Sequence, residues 1–421
     1  MFKFIHAADV HLDSPLRGLS AYEDAPIDVI RSASRRAFEK LVRLALDEQV
    51  AFVLLAGDLF DGSWNDFQSA MFLAKQLGRL DKAGVRVFVV LGNHDAQNRM
   101  VKKIPFPKNL HLFGSRSAKT EVLDVDDTRV AIHGRSFALS RMTENLAVTY
   151  PTAKPGMLNI GLLHTSLDGR EGHDTYAPCS VDDLLGRGYQ YWALGHVHQQ
   201  EFVRRDPWIV FPGCLQGRHV RETGAKGCVL VSAEGDQITA VEPVELDVLR
   251  WVSCDVSVEG ASTHEQVFER VSAALADVVA EAQDRPVAAR VHIHGNTPVA
   301  ATIIDPAFEM DKNVRLQAAG VDPDGLWIEK VEVDVSPAWS LDSVLEGDEP
   351  QDELLRRILD VPEQPEAIEG LDDVQRELLK KLNKEMGELD WGQDYDEHLR
   401  SLIRDAKLLL IERLLDSGAG S

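Results

Sequence analysis

Apolar and polar positions follow two alternating periods through the first half of this chain. Nearly continuous apolar runs at 2–7, 52–56, 85–91, 160–163 and 191–194 are too short for helices and read as buried strands. Between the first three, apolar positions recur at helical spacing over about 27–49 and 66–82. That order predicts βαβ units and a largely parallel sheet, an α/β core. Runs at 208–211 and 227–232, joined through a loop at 213–224, complete the core and close a first domain at 1–248.

The pattern changes near residue 250. A strand at 251–256, an amphipathic helix at 264–282 and strands at 289–294 and 326–335 predict a small α+β domain over 249–338. In the 289–294 strand Val291 and Ile293 alternate with Arg290, His292 and His294, which reads as a half-exposed sheet face rather than a metal site. The tail, 339–421, starts with an acidic linker to 372, punctuated by Pro350, Pro362 and Pro365, with room for one short helix. Two helical segments follow, one through Val374, Leu378, Leu382 and Met386, the other through Leu399, Leu402, Ile403, Ala406, Leu410 and Leu414. They suit either packing back on the core or docking a partner in helix-in-groove fashion.

Charge bears on the choice of substrate. The net charge of −23 argues at first against nucleic acid, whose phosphates need Lys and Arg. Residues 341–421, however, hold 22 acidic against 10 basic residues, which is −12 of the total. The segment after residue 95 is locally basic, with Arg99, Lys102, Lys103 and Lys108, and Arg218, His219 and Arg221 sit in the 213–224 loop. Arg99, Lys102, Lys103, Arg218 and His219 are therefore candidate substrate contacts. The stripe Arg31, Arg35, Arg36, Lys40 and Arg43 reads as a solvated helix face. Four Cys without CxxC spacing point to a reducing compartment. No apolar run reaches the ~18 residues of a membrane span, and the first strand begins at once, so a soluble, cytoplasmic protein is expected.

Candidate chemistry sits in five islands, each at the end of a strand-like run: Asp9-Val10-His11, Gly57-Asp58, Gly92-Asn93-His94-Asp95, His164 and Gly195-His196-Val197-His198. In open α/β sheets ligands bind outside the carboxyl ends of strands, so dispersed islands can converge there. The donor set mixes oxygen and imidazole nitrogen without thiolate, which suits a borderline-hard cation. Two divalent cations need a bridging carboxylate, for which Asp58 is the natural choice, and Mn²⁺ is favoured over Mg²⁺.

In this order the islands resemble the calcineurin-like metallophosphoesterases, whose pattern is D-x-H, GD, GNH[DE], H and G-H-x-H. The resemblance implies an α-β-β-α sandwich. It implies Asp9, His11, Asp58 and His198 as ligands of one metal, and Asp58, Asn93, His164 and His196 as ligands of a second. His94 is similar to the residue that contacts the scissile phosphate and assists the leaving group, and Asp95 to a neighbour that could hold the His94 imidazole in its tautomer. Protein phosphatases of this superfamily carry an Arg where this chain has Gly62.

The three-part plan resembles the DNA repair nuclease branch, SbcD-type subunits and most closely the bacterial YhaO-type exonucleases, on His6 to Pro15 and Leu215-Gln216-Gly217-Arg218-His219. That likeness implies a DNA-capping middle domain, a tail that binds an SMC-like coiled-coil ATPase of SbcC or YhaN type, and a homodimer. Archaeal and eukaryotic relatives end the second block with a His that aids exonuclease action. Here it is Asp61, as in bacterial members, and Asp61 is kept as a further catalytic candidate. The expected activity is metal-dependent hydrolysis of DNA phosphodiesters. A small-molecule phosphodiesterase or nucleotidase, and a slow tethering subunit of an ATPase complex, are the alternatives.

Overall fold

Strands buried on both faces dominate the first half of the chain. The computed structural model describes residues 1–14, 26–61, 67–97, 104, 106–169, 176–338, 350–364, 368 and 395–418. The chain forms two compact units: Met1–Val252 with Asp284–Ala288, and Ser253–Gln283 with Ala289–Ser421.

In the first unit the strands in chain order are β1 (Phe2–Ala7), β2 (Phe52–Ala56), β3 (Arg86–Val90), β4 (Leu110–Leu112), β5 (Lys119–Val125), β6 (Thr128–Gly134), β7 (Leu158–His164), β8 (Tyr191–Gly195), β9 (Glu201–Arg205), β10 (Trp208–Phe211), β11 (Gly227–Glu234) and β12 (Gln237–Glu245). They make two six-stranded sheets, ordered β12-β11-β1-β2-β3-β4 and β5-β6-β7-β8-β10-β9. β1 to β4 run parallel, as do β6, β7, β8 and β10, while β11, β12, β5 and β9 pair antiparallel at the edges.

Each central strand has two apolar faces, which explains its continuous apolar run. In β1, Phe2 and Phe4 point into the layer between the sheets, while Ile5 and Ala7 face the helices. Phe4 stacks on Phe52 at 4.8 Å and meets Tyr191 of the opposite sheet edge-on at 5.5 Å. Helices α1 (Ile27–Asp47) and α2 (Phe67–Lys82) cover the outer face of the first sheet with Phe38, Leu41, Leu73 and Leu77. The outer face of the second sheet is covered by Phe137, Leu146, Tyr150 and Leu184, from loops, a 3-10 turn and one five-residue helix, Val181–Leu185. The expected sandwich is thus present, with a thin outer layer on that side.

The second unit holds a three-stranded sheet ordered β13 (Arg250–Ser257), β14 (Val287–Asn296), β15 (Leu326–Ser336). Helices His264–Glu281 and Met310–Val321 pack together, burying Val267, Val271, Leu275, Val314 and Ala318. The second of these helices, and Ala300–Ile304, have no counterpart in the sequence reading. The polar face of β14 is occupied as a sheet surface: Arg290 bonds Glu329 at 2.7 Å and His292 lies 3.2 Å from Asp255.

In the tail, Pro350–Leu359 and Tyr395–Gly418 pack through Leu355 and Ile411, and the longer helix also meets Ala300–Ile304. The described part of the tail therefore folds onto its own unit, although Leu354, Leu402 and Leu410 stay exposed. The expected helix through Val374 to Met386 lies outside the described residues. Among the described residues no helix is long and apolar enough to cross a membrane.

Candidate two-metal centre

The carboxyl ends of β1, β2 and β3 in one sheet and of β7 and β8 in the other meet at one edge of the sandwich. The loops after β1 and β2 run side by side: Asp9 N donates to Gly57 O at 3.0 Å, His11 N to Asp58 O at 3.0 Å and Leu12 N to Leu59 O at 2.9 Å. The Asp9 carboxylate reaches across the sandwich to accept from His196 N at 3.0 Å, and Asp58 Oδ1 accepts from His94 N at 3.0 Å. These crossed bonds fix both carboxylates before any cation is considered.

Backbone shape at this edge is unusual. Asp9, His11, Asp58 and His196 all have positive φ, at 49°, 44°, 53° and 104°. Such conformations cost non-glycine residues roughly 1–3 kcal/mol each and persist only where surrounding structure imposes them. Two glycines have steric reasons: a Cβ on Gly57 would run into the His164 ring, and one on Gly92 would run into Asp58 Oδ1 and His164. Gly57 also sits at φ +96°.

The predicted ligands come together. Asp9, His11 and His198 present ligand atoms within 4.8 Å of one another, as do Asp9, Asp58 and His164. Asn93 Oδ1 lies 2.9 Å from His164 Nε2, and the His164 and His196 rings are 5.2 Å apart. Asp58 shares one cluster with Asp9 and His164, its Oδ2 3.5 Å from His164 Nε2, a closeness that a bridging carboxylate requires.

The donor set fits cations. His164 Nδ1–H donates to Ala56 O at 2.8 Å, so its Nε2 carries a lone pair facing the Asn93 oxygen. Burial holds the His164 pKa down to about 3, so that nitrogen is not protonated near neutrality. His198 Nδ1–H donates to Glu222 at 2.7 Å, and its Nε2 faces His11 Nε2 at 3.3 Å, while among the described residues His11 Nδ1 has no hydrogen-bond partner. Burial, with mutual repulsion at Asp9, raises the pKa of both Asp9 and Asp58. Facing lone pairs and crowded, desolvated carboxylates are what bound cations relieve.

His94 is half-buried at the rim, with Nδ1 2.8 Å from Asp61 Oδ1 and its ring 5.0 Å from that of His11. Asp61 Oδ2 accepts from the Ser14 hydroxyl at 2.6 Å. Burial alone would raise Asp61, but the His94 and Ser14 hydrogen bonds outweigh it and hold the carboxyl at about 2. Burial likewise works against the His94 cation, and the Asp61 bond and the Asp58 charge overcome it, so its pKa is raised.

Asp95 corrects an expectation. It does not hold the His94 ring: buried in the short helix Asn93–Gln97, its carboxylate accepts from Phe60 N at 3.1 Å and Gly92 N at 3.2 Å, tying two ligand loops together. Burial and the Asp58 charge push its pKa to about 7. The partner of His94 is Asp61.

Glu222 was missed. Its carboxylate joins His198 to Arg218, whose Nη2 lies 2.8 Å away, and their pull outweighs burial to depress its pKa. The one signal was an acid four residues after Arg218 in a basic loop. Of the expected substrate contacts, Arg218 is largely buried against Glu222, His219 is exposed, and Arg99, Lys102 and Lys103 lie outside the described residues. The α1 stripe is not uniformly solvated either: Arg35 bonds Asp13 at 2.6 Å and Lys40 bonds Asp247 O at 2.8 Å.

Comparison with known proteins agrees with this geometry. The calcineurin-like phosphoesterase family matches residues 2–200, and the middle domain of the metallophosphoesterase YhaO matches 251–336. The uncharacterized metallophosphoesterase YhaO of Bacillus subtilis is 35% identical over 297 residues, covering 70% of this chain and 72% of that protein. The DNA double-strand break repair protein Mre11 of Sulfurisphaera tokodaii is 26% identical over 262 residues, 58% of this chain and 63% of its own length. Mre11 of Aeropyrum pernix is 28% identical over 305 residues, 68% and 71%.

Proposed function

The chain belongs to the calcineurin-like metallophosphoesterases, and from that premise we propose that it is a DNA nuclease that hydrolyses phosphodiester bonds with two divalent cations, Mn²⁺ foremost. The observation that carries the choice of DNA is the extent of the likeness. Similarity to proteins named for DNA double-strand break repair covers 58% and 68% of the chain, more than the phosphoesterase segment alone.

Asp9, His11, Asp58 and His198 would hold one cation, and Asp58, Asn93, His164 and His196 the other. Bound there, the cations supply Lewis acidity toward the phosphate and offset the buried carboxylates. The protein's own part is positional. Glu222 and Ala56 O fix the two imidazoles that offer Nε2, and Asp95 locks the loops that carry Asp58 and Asn93. His94, kept protonated by Asp61, gives its Nε2 proton to the departing 3′ oxygen. An SMC-like coiled-coil ATPase is the proposed partner, met through the exposed leucines of the tail helices, and a homodimer the proposed assembly.

End-labelled single- and double-stranded DNA incubated with Mn²⁺ or Mg²⁺ tests the reading, with Asp58→Ala as control. Shortened products that vanish in the control are expected. Turnover of cyclic or mononucleotide esters without DNA cleavage would overturn it in favour of a small-molecule phosphodiesterase.

A further inference from the structure

Ser136 and Phe137, two buried residues just past β6, tie the second sheet to the first at the edge where the ligands meet. The Ser136 hydroxyl donates to Phe113 O and accepts from Leu91 N at 2.9 Å, and Phe137 N donates to Leu91 O at 2.9 Å. Both polar groups of the Leu91 backbone are thus taken by consecutive residues of the opposite sheet. Leu91 leads directly into Gly92-Asn93, so the peptide that carries the Asn93 ligand is held from outside its own strand.

The Phe137 side chain reaches another ligand. Its ring meets that of His164 edge-on, with 5.4 Å between centroids and 88° between planes. The hydrogen bond from His164 Nδ1 to Ala56 O fixes one nitrogen but lets the ring rock about that bond, which would swing Nε2 away from the Asn93 oxygen. Gly57 and Gly92 press on the same ring, and together with Phe137 they leave it little room to rock. His198, in the other ligand set, is held differently: it donates to Glu222, which Arg218 pairs, whereas His164 rests on a neutral carbonyl and an apolar ring. Supports of such different chemistry can be altered one at a time.

We propose that Ser136 and Phe137 act as one clamp, positioning residues that hold Asn93 and His164 in register across the sandwich. The clamp sets the affinity of the cation these two ligands share and leaves the cation held by His198 unaffected. The proposal rests on the ligand assignment above, not on the choice of DNA as substrate.

Calorimetric titration of Mn²⁺ into the metal-free full chain tests it, with Asn93→Ala and His164→Ala to identify the binding step that belongs to these ligands. Ser136→Ala and Phe137→Leu should each weaken that step about 10–100-fold, the range for residues that orient ligating groups, and leave the other step unchanged. In an Asn93→Ala background, where only the other cation binds, Phe137→Leu should not alter Mn²⁺ affinity; a general loosening of the fold would lower it there as well. Leu146→Ala, in the same apolar cluster as Phe137, is the control and should lower Tm without changing either step. Turnover of bis(p-nitrophenyl) phosphate by Ser136→Ala and Phe137→Leu should recover at high Mn²⁺, with the concentration for half-maximal rate raised by the factor seen in the titration. Ser136→Ala removes only a hydroxyl and carries the test should Phe137→Leu fail to fold. An unchanged step, or both steps weakened alike, in either folded variant overturns the clamp alone. Asn93→Ala and His164→Ala that leave both steps intact overturn the ligand assignment and the clamp with it.

Discussion

Asp61 and His94, from loops after different strands, form a 2.8 Å contact between Oδ1 and Nδ1 at the rim of the centre. The Ser14 hydroxyl takes the other Asp61 oxygen. The carboxylate is therefore held from both sides, and it fixes which imidazole nitrogen faces outward. If His94 is the proton donor, its orientation and proton both depend on Asp61. Asp61→Asn should lower kcat roughly 10–100-fold and His94→Ala roughly 100–10,000-fold, with KM little changed. The loss in both should grow as the leaving group becomes more basic, measured on aryl esters of thymidine 5′-phosphate. An equal loss across all leaving groups would rule out the donor role.

Ser14 acts one step further out. Ser14→Ala removes one of the two hydrogen bonds that hold Asp61 at about pKa 2 without touching His94. A smaller fall in kcat than in Asp61→Asn is expected, about threefold to tenfold, with the same dependence on leaving group. Ser14→Thr, which keeps the hydroxyl, should recover most of it.

Glu222 lends itself to a metal-binding measurement. A carboxylate that accepts from the far nitrogen of a ligating His typically contributes 10–100-fold in metal affinity. Glu222→Gln should weaken Mn²⁺ binding by about that factor in a calorimetric titration while Asn93→Ala affects the other cation. Unchanged affinity in Glu222→Gln would mean that His198 is not a ligand.

The sequence made visible what burial imposes locally. β1 to β3, β7 and β8 are apolar on both faces, and their ligands stand out as polar residues just past apolar runs. β5 and β12 are half-exposed, and their mixed patterns hide them. Contacts between distant segments leave no periodic trace. Asp95 is adjacent to His94 in sequence, yet the turn of Asn93–Gln97 directs it toward Phe60 N, while Asp61 and Glu222 reach their histidines from other loops.

Gly92 separates steric from chemical roles. A methyl group there would meet Asp58 Oδ1 and the His164 ring, both fixed by other bonds. Gly92→Ala should keep the far-ultraviolet circular dichroism of the wild type but lose most bound Mn²⁺ by elemental analysis, and activity in proportion. Full metal content would show that the edge yields more readily than its hydrogen bonds suggest.

Removal of metal should make stability depend on pH in a definite direction. Burial, then the Asp58 charge, raises Asp9 and brings Asp95 to about 7, against about 3.9 in an unfolded chain. Between these values the native state binds more protons than the unfolded one, so the free energy of unfolding falls as pH rises. Buried His6 and His164, both lowered to about 3, have the opposite sign, but only up to the unfolded histidine value of about 6.5. His94, raised, adds to the carboxyl trend, because its stabilisation is complete below about pH 6.5 and is lost as pH climbs through its folded pKa. From pH 6.5 to 8 the metal-free protein should therefore lose roughly 1–3 kcal/mol, a fall of several degrees in Tm in EDTA. Mn²⁺ displaces the same protons at Asp9 and Asp58, so the rise in Tm it produces should be greater at pH 8 than at pH 6.5. A Tm in EDTA that is flat or rising over this interval, or a Mn²⁺ effect that shrinks with pH, would mean that these carboxyls are already ionised without a cation and that the charge at this edge is balanced by other groups.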